Sequence, residues 1–155
     1  MANPFAKSRW FHRVGHVTNT PAWRVLPTPA GLAVLTTTGR RTGKQRTRAV
    51  RVVRDGDRVY AVAMLGRRCD WVHNIRARPQ VRLKLGRRTY DATARELLDP
   101  SERERAAEAY LPNAGWFDYV DYANLMWSVP TRNKLVRAHE RWFGEGVPVV
   151  FELVR

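Results

Sequence analysis

The sequence predicts a mainly β, α+β fold: a small antiparallel barrel of six strands with flanking helices. Three observations predict it. Short runs rich in β-branched residues recur between turn residues. Two turn signals, Asp55-Gly56 and Gly86-Arg87-Arg88, join segments of alternating polarity. Between the N-terminal segment and Asp99, helical spacing is confined to one short piece before Pro79. The chain has 155 residues and is 44% hydrophobic, which suits one domain with a sizeable core. No repeat, low-complexity run or linker divides it. A single domain is therefore expected over 1–155, with an N-terminal helical extension over 1–30 and a helical insertion over 112–146.

From the N-terminus, Phe5, Trp10, Phe11 and Val14 alternate with Lys7, Arg9 and Arg13. That pattern suits a short amphipathic helix, docked on the domain or lying on an anionic membrane surface. Pro21, Pro27, Pro29 and Gly31 make the approach irregular. Leu32 to Thr38 reads as a strand and Gly39 to Gly43 as a turn. Thr47 to Arg54 sets Ala49, Val50, Val52 and Val53 against Arg48, Arg51 and Arg54. Asp55-Gly56 turns it into a return strand, Arg58 to Leu65, so the first half reads as a three-stranded meander. Asp70 to Arg78 is a short helix stopped by Pro79. Gln80 to Leu85 puts Val81, Leu83 and Leu85 on one face, and Thr89 to Leu97 returns. Asp99, Pro100 and Glu102 supply N-cap, N1 and N3 of a helix running to about Leu111. Further helices are expected over Trp116 to Trp127 and Thr131 to Phe143, the last ended by Gly144 and Gly146. Val147 to Val154 closes the sheet.

Charge is lopsided, with 28 Lys plus Arg against 14 Asp plus Glu, net +14. Such a field concentrates anions. Nucleic acid, an anionic membrane and a phosphorylated small molecule all fit, and so does a merely solvated surface, since most of the cations are arginine. Cys69 is the one cysteine, so no intramolecular disulfide forms, as in a reducing cytoplasm. No apolar run approaches the ~20 residues of a membrane span. The first 16 residues lack the apolar core of a secretory signal. A cytoplasmic location is expected, with peripheral membrane contact through the N-terminal segment as a possibility.

The segment Thr36 to Thr47 is the most informative. Two glycines bracket a tight turn, so backbone N–H groups can face outward. Arg40, Arg41, Lys44 and Arg46 lie within seven residues, with Thr36, Thr37, Thr38, Thr42 and Thr47 as hydroxyl donors. Phosphate recognition uses this mixture of fixed dipoles, bidentate guanidinium and short hydroxyls. The spacing is not that of a P-loop. A solvated basic hairpin and a nucleic-acid contact remain alternatives. In Asp70 to Pro79, Trp71 and Ile75 have core spacing, while His73 and Asn74 fall elsewhere on the wheel. His73 and Cys69 read as structural, and the four histidines form no metal-ligand motif. Tyr119 and Tyr122 are i and i+3 on one helical face, where a phenol can donate a proton or the pair can be core.

These residues resemble a known family. Leu35-Thr-Thr-Thr-Gly-Arg-Arg-Thr-Gly-Lys-Gln-Arg-Thr47 is similar to the signature of the deazaflavin (coenzyme F420)-dependent nitroreductases. Arg54-Asp-Gly-Asp-Arg-Val59, Trp71-Val-His-Asn74 with Arg78-Pro79, and Thr93-Ala-Arg-Glu96 match later blocks in order. The resemblance implies an FMN-binding split-barrel-like fold and an F420-dependent oxidoreductase. It implies hydride transfer between reduced deazaflavin and a small electron-poor acceptor: a quinone, nitroaromatic or activated enone. By position, Arg40, Arg41, Thr42, Lys44 and Arg46 would hold the phosphate and tail. Thr47, Arg48, Ala49, Val50 and Arg51 would run beside the cofactor. Val62, Ala63, Met64 and Leu65 would lie along the deazaflavin through backbone, and Trp71, His73 and Asn74 would complete the contacts. Tyr119 and Tyr122 resemble the family's substrate-side pair and are the candidate proton donors. Two departures stand out. Members often carry Ser and Lys at the positions of Met64 and Leu65, with a longer loop than Gly66 to Asp70, and the segment Leu111 to Gly146 is longer here. The competing expectations are FMN as the cofactor, a non-catalytic cofactor- or lipid-binding barrel, and nucleic-acid binding from charge alone. The reading that adopts F420 excludes nucleic acid and leaves the oligomeric state open.

Overall fold

The structure is a computed structural model that describes residues 21–113, 115–126 and 128–154. The amphipathic segment Phe5 to Val17 lies outside the described residues. In chain order the strands are β1 (Leu32–Thr38), β2 (Gln45–Arg51), β3 (Val53–Asp55), β4 (Arg58–Ala63), β5 (Gln80–Leu85), β6 (Arg88–Glu96) and β7 (Val147–Leu153). The helices are α1 (Asp70–Ala77), α2 (Pro100–Tyr110), α3 (Trp116–Met126) and α4 (Arg132–Glu145). A 3-10 turn, Gly66–Arg68, leads into α1.

All seven strands form one sheet in the order β2-β1-β5-β6-β7-β4-β3. Every pairing in it is antiparallel. The strand count is seven, not six, because the expected strand Thr47 to Arg54 breaks at Val52. The Val52 amide leaves the ladder and donates to the Gly31 carbonyl at 2.9 Å. Adjacent apolar residues cause the break: Val52 enters the barrel core with Val50, whereas Val53 enters a second core outside it. The expected three-stranded meander is also corrected. Hairpin β1–β2 forms one edge of the sheet and hairpin β3–β4 the other. Those edges are separated by one residue of chain, so the sheet must curl until they meet, and β2 lies against β4. The result is the split-barrel form.

Alternation then assigns each face. Val59, Ala61, Ala63, Val149 and Phe151 point into the barrel with Leu35, Leu83 and Ala94. Trp71, Val72 and Ile75 of α1 plug the barrel, and the Trp71 ring sits 6.5 Å from that of Phe151. On the outer face Val53, Tyr60 and Val150 pack with Tyr110 of α2 and Phe143 of α4. The cap of α2 forms as the sequence predicts: Asp99 accepts from the Glu102 amide at 2.9 Å. Helix α4 runs through Gly144, where a stop was expected, and closes at Gly146. Before β1, residues 21–25 are helical. Lys84 Nζ donates to the carbonyls of Trp23, Arg24 and Leu26 at 3.0, 2.8 and 2.9 Å, holding the end of that turn on β5.

Gly146 is needed for space. A Cβ there would stand 2.5 Å from the Trp142 carbonyl oxygen and 2.6 Å from that of Ala63. Both obstacles are backbone, so they yield only by distorting the last turn of α4 and moving it from β4. Gly146→Ala is expected to cost about 1–3 kcal/mol, as overpacking does. In a thermal melt this lowers Tm by roughly 2–4 °C per kcal/mol at this chain length.

Candidate functional site

Beyond the barrel core, β1 and β2 continue as a hairpin whose inward positions turn polar. The register sets Arg48 across from Leu35 and Arg46 across from Thr37. Helix α1 packs against β1 and supplies a second wall. Between them lies a cavity of about 460 Å³, within the usual range for small-molecule sites. Arg40, Arg41, Arg46 and Arg48 line it, with Thr37, Thr42 and Thr47 as hydroxyl donors. Leu35 and Trp71 form its apolar part, and Asp70 and Asn74 its α1 rim.

The turn is rigid for reasons visible in its bonds. The Gly39 amide donates to the Lys44 carbonyl and the Gly43 amide to the Gly39 carbonyl, both at 2.8 Å. Gly43 needs its lack of a side chain, at φ +67°. The Lys44 amide donates to Thr42 Oγ1 at 3.3 Å. Those three N–H groups are thus used inside the turn. The amides of Arg41 and Thr42 have no partner among the described residues.

Asn74 is buried and joins the two walls. Its Oδ1 accepts from the Arg40 amide at 3.1 Å, and its Nδ2 donates to Thr37 Oγ1 at 3.1 Å. One helical turn earlier, Asp70 Oδ1 accepts from Arg40 Nη1 at 3.1 Å. Arg48 lies deeper, and burial lowers its pKa, opposed by the nearby Cys69 and Asp70. Burial pushes the Cys69 thiol up, while the Arg48 charge and a bond to the Leu65 backbone act against that. Arg24 adds a donor to Thr47 Oγ1 from the N-terminal turn.

Of the expected site residues, the cavity brings together Arg40, Arg41, Thr42, Arg46, Thr47, Arg48, Trp71 and Asn74. It does not include Lys44, Ala49, Val50, Arg51, Val62, Ala63, Met64, Leu65, His73, Tyr119 or Tyr122. Val50 and Ala63 fill the barrel core, Leu65 packs against it, and Val62 packs in the outer core. Met64 is half-buried. His73 Nε2 donates to the Arg67 carbonyl at 2.6 Å and so braces the 3-10 turn. Tyr122 is buried and Tyr119 half-buried on α3. Leu35, Gly39 and Asp70 were missed as wall residues, and Thr37, expected as one of five hydroxyl donors, joins the wall beside them. Two signals point to them: the period of two from Leu35 to Thr37, and the i, i+4 spacing of Asp70 and Asn74.

Arg51 turns away to a second polar cluster. Its Nε donates to Asp118 Oδ1 at 2.5 Å, and Nη2 donates to the Asn113 carbonyl. The guanidinium carbon lies 4.2 Å from the Tyr110 ring centroid. Asp118 Oδ2 accepts from the Gly115 amide at 2.7 Å, so α3 begins on this ion pair. Tyr110 in turn meets the His139 ring edge-on at 5.8 Å. Burial, with the Arg51 charge adding to it, holds His139 at about 4, against 6.5 ordinarily. The folded form therefore keeps His139 neutral where the unfolded chain protonates it. Its contribution is complete above pH 6.5 and is lost as pH falls toward 4. Urea unfolding at stepped pH should show a decline in that window that His139→Gln reduces.

Among the described residues, no group of His, Cys, Asp and Glu could hold a metal ion, and no helix is long and apolar enough to cross a membrane. The family profile F420H(2)-dependent quinone reductase matches residues 7–129. An F420H(2)-dependent quinone reductase of Mycobacterium tuberculosis (strain ATCC 25618 / H37Rv), Rv1261c, is 35% identical over 86 residues, which is 54% of this chain and 52% of that protein. The chain thus spans about half the length of the curated relatives it matches. A solved F420-H2 dependent reductase superposes with TM-score 0.52 at 25% identity, covering 84% of this chain and 99% of the other. The M. tuberculosis protein Rv2991 shares the fold at TM-score 0.53 and 12% identity, covering 81% and 74%. A profile match over most of the chain, on a split barrel with an arginine-lined cavity, shows that this chain belongs to the F420H(2)-dependent quinone reductase family.

Proposed function

We propose that the chain is a reductase that uses reduced coenzyme F420 to reduce a small electron-poor acceptor of the quinone class. One observation carries the reading: four arginines and three threonine hydroxyls converge on one cavity of about 460 Å³ beside an apolar wall. A phosphate-bearing, multiply charged anion fits that donor set, and a flat apolar ring system fits Leu35 and Trp71.

Bound there, coenzyme F420 supplies the hydride. Arg41, Arg46 and the unpartnered amides of Arg41 and Thr42 would hold the phosphate and tail. Thr42 and Thr47 add hydroxyl donors. Trp71 and Leu35 exclude water from the apolar end of the cavity. The backbone of Val62 to Leu65 is proposed to line the ring. Tyr119 and Tyr122, on the helix that Asp118 ties to Arg51, are the proposed sources of the proton that completes acceptor reduction. Nitroaromatics and activated enones are secondary acceptors on this account. A cytoplasmic setting suits the free, buried Cys69. FMN is the alternative anion for the same cavity.

A second reading, a non-catalytic cofactor carrier, is favoured by Met64 and Leu65, which bring no hydroxyl to the end of β4. Purified protein mixed with reduced F420 and a panel of quinones, nitroaromatics and enones separates the two. The reductase reading expects oxidation of the coenzyme that depends on both protein and quinone. Binding without oxidation by any acceptor selects the carrier.

A further inference from the structure

We infer that Asp70 is a built-in competitor for the anion site, holding Arg40 while the cavity is empty and releasing it when an anion enters. The inference rests on reading the arginine-lined cavity as an anion site. Asp70 is the single carboxylate among the residues that line it. Arg40 Nη1 bonds to Asp70 Oδ1 at 3.1 Å and approaches the Asp70 carbonyl at 3.5 Å. Arg41 and Arg46 have no such carboxylate partner among the described residues. One cavity arginine is therefore neutralised, while Arg41 and Arg46 are left to the ligand.

The geometry permits exchange. The Arg40 backbone is fixed, because its amide is bonded to buried Asn74. Its side chain is held more loosely: Nη1 reaches Asn74 Oδ1 only at 3.4 Å, and the pair with Asp70 lies at the cavity mouth, with the Arg40 side chain 29% and the Asp70 side chain 84% exposed. An exposed ion pair is weak and easily replaced. A doubly charged phosphate oxygen cluster offers Arg40 a stronger partner than one solvated carboxylate. Asp70 then swings into water, which its exposure already allows. A carboxylate left beside the bound anion would repel it, so the exchange acts as a threshold that weakly charged ligands do not cross.

The test is a double-mutant cycle on the folded protein, read by two probes. Wild type, Asp70→Asn, Arg40→Gln and the double variant are titrated with inorganic pyrophosphate by calorimetry and with F420 by fluorescence. Asp70→Asn is expected to tighten both by roughly two- to fivefold, the worth of an exposed ion pair. Arg40→Gln is expected to cost more in the Asp70→Asn background than in wild type, since only there is Arg40 free. Asp70→Glu, which keeps the charge, should behave as wild type, and circular-dichroism melts establish that each variant is folded. Unchanged or weaker pyrophosphate binding by folded Asp70→Asn, or an equal cost of Arg40→Gln in both backgrounds, overturns the inference. Absence of F420 binding with the pyrophosphate pattern intact would overturn the cofactor assignment and leave the competitor in place.

Discussion

Arg51→Ala is expected to destabilise the fold by about 3–5 kcal/mol, the cost of breaking a buried ion pair from one side. Arg51 and Asp118 have side chains only 13% and 5% exposed, so removing the cation strands a carboxylate among Tyr110, His139 and the Gly115 amide. The guanidinium also covers the Tyr110 ring and ties the Asn113 carbonyl, so its loss uncouples β2 from the chain between α2 and α3. Urea unfolding measures the change. Arg51→Ala with Asp118→Ala should cost less than the sum of the two single changes, because the stranded charge is gone. A loss below ~1 kcal/mol for Arg51→Ala would show that the pair is not closed in solution. The resemblance places Arg51 beside the cofactor, but its side chain is turned to α3. Its expected functional effect is therefore indirect, through the position of Tyr119 and Tyr122.

Arg41→Ala together with Arg46→Ala is expected to weaken F420 binding by about 3–6 kcal/mol, taking each as a charged contact of about 1.5–3 kcal/mol. That is roughly a hundred- to ten-thousandfold in Kd. Stability should hardly change. Both residues are exposed, and neither has an ion-pair partner among the described residues. The two predictions thus separate the arginines by role. Arg51 carries fold energy and no ligand, whereas Arg41 and Arg46 carry ligand energy and little fold energy. Equal losses of affinity and stability in the Arg41/Arg46 variant would contradict that division.

Local chemistry made much of the fold legible in advance. Strands β1 and β5 begin and end where β-branched runs and glycines put them, and the Asp99 cap forms on its expected amide. These features depend on neighbours in sequence. The seventh strand was not legible as such, because the alternation of Val50 and Val52 continues across the break and only the Gly31 carbonyl, twenty-one residues earlier, captures the Val52 amide. Strand order was equally hidden. It follows from edge strands that are adjacent in the chain yet far apart in the sheet, a closure that no local pattern records. The site divides in the same way. The basic turn announced itself through glycine spacing and arginine density. The roles of Asp70, Thr37 and Asn74 come from α1 meeting β1, a long-range contact. Arg51 looked like its neighbours in β2 and was separated from them only by which face of the strand it occupies.

The central claim is that the arginines around Gly39 and Gly43 bind an anionic deazaflavin coenzyme. Fluorescence titration of the wild-type protein with F420 at several salt concentrations tests it most directly. The account predicts micromolar or tighter binding that weakens as salt rises and collapses in the Arg41→Ala, Arg46→Ala variant. No binding at micromolar protein, or an affinity indifferent to both salt and those two arginines, would contradict it.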